Sequence, residues 1–500
     1  MKDQLEKITG LDLYESSIVA TETATYFLGR RGTEKLVGQA GGPPCLPNVE
    51  RAGELAGRCV CVGPCDHANA AGLRELLPWA GPKCVGLATS AGLGDRLGLA
   101  TPGHLRAMRA EGGGLAVFLA QQSIREMTRT RRTPEQVMDC ATWGVLQDGW
   151  REGFGSDADH LQHPEDIDAT VAAGFTMFTI DPGLHVANDA DRIYAPSLDW
   201  RASLVDLATL EATVDDLRRR YVGKAFPLAT GGSLRLDDQT FLRALIKYGN
   251  AIAHTVRMYR HLKAAATREF ELEVSVDETD SPTSPAEHFF FAGELKRLGV
   301  EWVSMAPRYL GRFEKGVDYL GDLDAFRASF ARHVAVMRTV GPYKMSIHSG
   351  SDKFSIYPII AELTDGLVHL KTAGTSYLEA LRAVAHTDPA LFREVLQFAR
   401  DRYELDRRTY HVSADLEKVP TADDLAFGDV DDAELTGLLD QFDTRQVLHV
   451  TFGSVLTADG GERFRTRLYA ALGADEEAHY AALAAHLGRH VAPFAPHAKG

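Results

Sequence analysis

Leu272 to Met305 reads LEVSVDETDSPTSPAEHFFFAGELKRLGVEWVSM, and its punctuation marks out one unit of structure. Leu272-Glu273-Val274-Ser275-Val276 is a β-prone run passing into the polar loop Asp277-Glu278-Thr279-Asp280-Ser281-Pro282. Ser284-Pro285-Ala286-Glu287 then opens a helix: an N-cap serine, a proline at the first helical position and a glutamate that completes a capping box. Phe289, Ala292 and Leu295 continue the helical period, Lys296 and Arg297 suit the negative C-terminal end, and Gly299 suits the left-handed residue that stops it. Trp302-Val303-Ser304-Met305 is a second strand. Strand, loop, helix and strand in this length make a βαβ unit.

The rhythm extends both ways. Downstream, Phe326 to Met337 is helical, Gly341-Pro342 breaks it, and Lys344 to His348 is strand-like. Asp365-Gly366 turns into the strand Leu367 to Leu370, Ala390 to Tyr403 is helical, and Tyr410 to Ser413 and Arg445 to Thr451 read as further strands. Upstream, Thr176 to Ile180 is a strand, and Thr133-Pro134-Glu135-Gln136 caps another helix. From about residue 154 roughly eight strands alternate with helices, which predicts an α/β fold, a (β/α)8 TIM-like barrel, with a doubly wound sheet as the alternative. Residues 1–80 read as a loop-rich N-terminal extension, with Gly and Pro crowded between Leu36 and Glu50 and a short apolar piece at Cys59 to Val62. Residues 81–455 are assigned to the barrel and residues 456–500 to an Ala-rich C-terminal helical segment.

The chain has 500 residues, 54 Lys+Arg against 69 Asp+Glu, a formal net charge of −15, and 45% hydrophobic residues. This excludes a disordered chain, a collagen-like repeat and a disulfide-stapled miniprotein. The acidic balance argues against nucleic acid and membrane surfaces as partners. Met1 to Gly10 mixes both charge signs without an apolar core, and uncharged stretches such as Ala169 to Ile180 are too short for a bilayer, so the expectation is a cytoplasmic protein. All six cysteines lie between Cys45 and Cys140. Cys59-x-Cys61-x3-Cys65-x-His67 lacks the C-x2-C spacing of a metal site and reads better as buried thiols in a reducing compartment.

In a barrel the chemistry gathers at the C-terminal ends of strands. Those positions here carry Asp157-Ala158-Asp159-His160, Asp181 to His185, Asp277 to Asp280, Arg308, His348 to Lys353, His369 with Lys371, and Asp415 with Glu417. Histidines and carboxylates on one rim are the ligands of a catalytic divalent metal cation, for which Zn, Mn, Ni, Co and Fe all qualify. His160, His348 and His369 are the candidate ligands. A histidine bonded to a backbone carbonyl is the competing reading for each, and the preferred one for His163, His261, His333 and His386. Asp159 and Glu278 are the acid/base candidates, with Asp277 and Asp280 competing and Asp159 alternatively orienting a ligand histidine. Arg308, Ser349, Lys353, Lys371 and Thr372 are candidate substrate contacts. Lys371 also stands where a Schiff-base lysine would.

Four motifs share an order along the chain: GSDADHLQ (155–162), VDETDSPTSP (276–285), KMSIHSGSDKFSIYP (344–358) and HLKTAGTSYLEALR (369–382). In these the sequence resembles the tagaturonate epimerase family, over roughly residues 10 to 470. The resemblance implies a metal-dependent barrel isomerase that interconverts tagaturonate and fructuronate in hexuronate catabolism; related members act on tagatose and fructose. The implied partner is a small sugar acid or ketose, and a homo-oligomer is left open. The two uronates differ at a carbon β to the ketone, so simple enolisation cannot invert it. Retro-aldol cleavage and re-addition can, using a base, an acid and a Lewis acid; direct proton abstraction at carbon would use the same groups. A class I aldolase built on Lys371 and a non-catalytic sugar-binding protein are the competing functions.

Overall fold

Eight parallel strands close into a barrel in the computed structural model, which describes residues 1–43, 45–426 and 432–498. They are β1 (Ser90–Leu93), β2 (Ala116–Ser123), β3 (Gly155–Leu161), β4 (Met177–Ile180), β5 (Glu271–Val276), β6 (Ser304–Pro307), β7 (Lys344–Ile347) and β8 (Val368–Thr372). β8 pairs with β1, His369 opposite Ser90 and Lys371 opposite Gly92, so first and last strands form the seam. The predicted (β/α)8 barrel is therefore the architecture. Its capping signals hold in detail: Ser284 and Glu287 make both bonds of a capping box, as do Thr133 and Gln136, and Gly299 has φ +75°.

Two of the expected strands are not strands. Arg445 to Thr451 lies inside the helix Phe442–Thr457, and Tyr410 to Ser413 is irregular. The first is buried all round, from Thr444 to Gly453, and an unbroken buried run does not reveal its period. The strands that complete the barrel lie earlier. β1 is only Ser-Ala-Gly-Leu, without a β-branched residue, and gives propensity nothing to work with.

The N-terminal extension is not loop-rich. Asp12–Leu13, Val19–Ala20, Ala24–Arg31, Glu34–Gly41, Glu50–Leu55 and Arg58–Pro64 form a six-stranded antiparallel sheet. Its glycines serve close packing rather than turning: a Cβ at Gly38 would stand 2.0 Å from the Phe27 ring. Cys59 and Cys61 sit two apart on the last strand with their sulfurs 3.5 Å apart, and all six cysteines are free thiols.

After β8 the chain is helical, through Thr375–Thr387, Pro389–Asp406, Phe442–Thr457 and Glu476–Val491. The first three bury a second apolar cluster, whereas Glu476–Val491 packs Tyr480, Leu483, Leu487 and Val491 into the one between barrel strands and their surrounding helices. Glu476 ties the two ends of the chain together, accepting from the Tyr14 hydroxyl at 2.7 Å and pairing with Lys35 at 2.7 Å. Among the described residues no helix is long and apolar enough to cross a membrane.

Candidate active site

Asp159 and His160 are neighbours on a strand, and strict alternation would send them to opposite faces. A bulge prevents this. β3 places Ala158 opposite Phe178 but Leu161 opposite Ile180, so two residues face one, and His160 takes φ +54°. Such a bulge re-aims a side chain. The His160 ring comes to stand 4.3 Å, centroid to centroid, from that of His348 at the end of β7. Asp159, His160 and His348 present donor atoms within 4.8 Å of one another. The Asp181 carboxylate, at the end of β4, lies 3.0 Å from His160 Nδ1 and takes further bonds from Gln162 and the Gly183 amide. That partner selects the Nδ1–H tautomer and leaves Nε2 as the lone-pair nitrogen.

Beneath this group the barrel is filled by charge. Lys371 Nζ lies 2.7 Å from Asp157, 2.9 Å from Asp159, 2.6 Å from Glu273 and 2.9 Å from the Thr179 hydroxyl. Burial opposes its charge, but the three carboxylates hold it well above the usual lysine range. An amine so protonated is no nucleophile, which counts against a Schiff base there. Burial pushes Asp157 up to about 6 against the pull of Lys371. Burial also acts to raise Asp159, but Lys371 and His348 pull it well below its ordinary value. His348, its Nε2 3.0 Å from Asp159 and its Nδ1 3.4 Å from Glu273, is driven against burial well above the normal histidine value, chiefly by Asp159.

This donor set fits a divalent metal. It offers one carboxylate and two imidazoles, one already oriented by a second carboxylate, and neither nitrogen of His348 has a hydrogen-bond partner of good geometry. The cluster of three carboxylates against one lysine leaves negative charge for a cation to neutralise. A second grouping, Asp352 with His486 and His490, fits a metal poorly, because His490 Nε2 already accepts from the Asp352 amide at 2.9 Å.

His369 does not join the ligand group expected of it. On β8 it shares the inward face with Lys371 but lies two residues lower, its Nδ1 2.9 Å from the Ser90 hydroxyl and its ring edge-on to Phe118. Burial keeps it neutral. Two other expected contacts are spent on backbone. Thr372 donates to the Gly92 carbonyl at 3.1 Å, and Lys353, pushed down to about 7 by burial, gives its ammonium to the carbonyls of Glu314, Val317 and Ser351. Glu278, Arg308, His348 and Ser349 line a cavity of about 320 Å³. Asp159, His160, His348 and Ser349 line a smaller one of about 40 Å³ alongside. Glu278 pairs with Arg125 at 2.7 Å; burial would raise its carboxyl, but His160 and Arg125 hold it well below the ordinary range.

Sequence reasoning missed Gln121, Arg125, Glu273, Lys315 and His449, all at or beneath the mouth. Gln121 and Arg125 follow from β2, which was not read. His449 was hidden in the helix taken for a strand. Lys315 lies in an irregular loop between β6 and the helix Leu323–Val340, where no period points to it. Only Glu273 carried a signal, as a charged residue inside an apolar strand.

A family model described as tagaturonate epimerase matches residues 14–494. The curated tagaturonate/fructuronate epimerase of Thermotoga maritima is 41% identical over 489 residues, 96% of each chain. The native crystal structure of fructuronate-tagaturonate epimerase from Cohnella laeviribosi is 34% identical, covers 98% of each chain and superposes with a TM-score of 0.90. A two-glycerol complex of that protein matches with the same identity and TM-score over 99% of each chain. With its fold and nearly its whole length matched by these enzymes, this chain belongs to the tagaturonate epimerase family of isomerases.

Proposed function

We propose that the protein interconverts tagaturonate and fructuronate with a divalent metal held by Asp159, His160 and His348. The observation that carries this reading is the convergence of those three donors, beside the carboxylate Glu278, in the mouth of the barrel. The bound metal would supply a Lewis acid for the substrate ketone. Asp159 thereby moves from an acid/base role to that of an anchor, since Lys371 and His348 already engage it.

Glu278 is the base. It is ionised at neutral pH and borders the larger cavity, while the Arg125 guanidinium fixes its orientation. It takes the proton from the hydroxyl on the carbon to be inverted. The bond from that carbon to its neighbour α to the ketone breaks, and an enediolate and an aldehyde remain. Rotation of the aldehyde followed by re-addition to its other face restores the bond, and the proton returns to the new alkoxide. Lys371 keeps the anionic floor of the site in place and takes no covalent part. Held side by side in the mouth, the two fragments re-add without diffusing together from solution. By the same chemistry tagatose and fructose are candidate slower substrates.

The test is purified protein given tagaturonate and followed by NMR for fructuronate, before chelation, after it, and after metal is restored. Product that disappears with the chelator and returns with the metal is expected. Turnover indifferent to the chelator would overturn the metal reading, and borohydride trapping of a substrate adduct on Lys371 would revive the aldolase one.

A further inference from the structure

The two uronates carry a carboxylate whose recognition no residue has yet been given. Resting on the function proposed above, its place follows from the substrate's bonds. The carbon that inverts lies two bonds from the ketone carbon on one side and two bonds from the carboxylate carbon on the other. With the ketone at the Asp159, His160 and His348 group and the reacting carbon's hydroxyl at Glu278, the carboxylate lies beyond the reacting carbon, on the larger cavity's side of the junction that Lys315, His348 and Ser349 form between the two cavities.

Most cations near that point are already engaged. Arg96 pairs with Glu126 at 2.7 Å, Arg125 with Glu278 at 2.7 Å and Arg312 with Glu314 at 3.3 Å. Lys353 is enclosed by three carbonyls. Arg308 borders only the larger cavity; its guanidinium donates to the Thr279 carbonyl, its Nε has no partner, and it has no carboxylate within ion-pairing distance among the described residues. Lys315 differs from all of these. It borders both cavities, its Nζ donates to the Ser349 hydroxyl at 3.0 Å, and among the described residues no carboxylate lies within ion-pairing distance of it.

The loop beneath Lys315 is built to hold it still. Buried Lys353 grips the carbonyls of Glu314 and Val317 at 2.8 and 2.6 Å, and buried Arg445 grips that of Gly316 at 2.7 Å. The Glu314 side chain accepts from Ser413 at 2.7 Å and Gln446 at 2.8 Å. A half-buried ammonium on so fixed a backbone is presented to a ligand without further ordering of the chain. We propose that Lys315, with the Ser349 hydroxyl beside it, is the carboxylate-recognising residue of the substrate site and sets the preference for a uronate over an uncharged ketose. Lys353 acts as a positioning residue through the loop.

The experiment compares a non-reacting pair on the metal-loaded protein: galactonate, which keeps the carboxylate, and galactitol, which lacks it. Affinities are measured by calorimetry for wild type, Lys315→Met, Lys315→Arg and Arg308→Met. Lys315→Met is expected to weaken galactonate by about 10- to 100-fold, the worth of a charge-assisted hydrogen bond, and to leave galactitol unchanged. Lys315→Arg should retain most of the discrimination. Equal weakening of both ligands, no weakening of either, a wild type that does not distinguish them, or discrimination lost in Arg308→Met alone would each overturn the assignment. Wild-type turnover of tagaturonate is read separately. Its absence would sink the proposed function while the binding comparison still reported on Lys315.

Discussion

Asp181 is a single carboxylate on which the orientation of His160 depends. It accepts from His160 Nδ1, and exchanging it for an amide leaves the shape while removing the charge that holds the ring in the Nδ1–H tautomer with its lone pair on Nε2. Asp181→Asn is expected to weaken metal binding by about 10- to 100-fold, measured by competition with a chromogenic chelator. An unchanged metal affinity would remove Asp181 from this role. The residues of the mouth were legible to different degrees for physical reasons. His160, His348 and Glu278 could be found because strand ends are recognisable and polar atoms there face one rim. His369 misled because two inward positions on one strand differ in depth, which spacing alone does not reveal. Lys315 was invisible because its position is set by tertiary bonds from Lys353 and Arg445, residues far from it in the chain.

At the scale of elements, the helix Pro285–Arg297 follows the loop that carries Glu278, so its N-cap has two duties. Ser284→Ala removes the bond to the Glu287 amide and should cost about 1 kcal/mol locally. Amide exchange in the first turn of that helix is then expected to quicken about fivefold with the rest of the barrel unchanged; uniform quickening would mean that the cap supports the whole fold instead. Elements with local signatures were read correctly, as the capping boxes at Ser284 and Thr133 show. Elements defined by burial were not. The helix Phe442–Thr457 is enclosed on every side, and the N-terminal sheet uses glycine to admit Phe27, so neither displays the alternation of polar and apolar residues that pattern reading requires.

For the whole molecule, buried groups give stability a signed dependence on pH. Burial lowers Lys344 to about 8 and Lys353 to about 7, so above those values the unfolded chain binds protons that the folded chain does not, and stability rises with pH. Burial raises the Cys65 and Cys84 thiols to about 12, so above about pH 9 the unfolded chain loses protons that the folded chain keeps, and stability falls. The raised His348 and His160 act against the lysines from about pH 6.5 upward, so the lysine contribution is read by difference: between about pH 8 and 10 the thermal midpoint of Lys344→Met should fall more steeply with pH than that of the wild type. Parallel pH profiles for the two proteins would contradict the assignment of a buried Lys344 with a lowered value.

The seam between β1 and β8 also sets a timetable. A ribosome that has finished Leu93 must add about 280 residues, on the order of tens of seconds of synthesis, before Thr372 exists to pair with it. Through that interval the edge of β1 has no neighbour on that side, and the acidic and basic groups that will meet across the axis stand apart. The helix bearing Glu476 arrives later still, so the clasp on Tyr14 and Lys35 is among the late contacts of the newborn chain. Nascent protein is thus most exposed to unwanted strand partners in mid-translation, and a holding chaperone has its longest opportunity there.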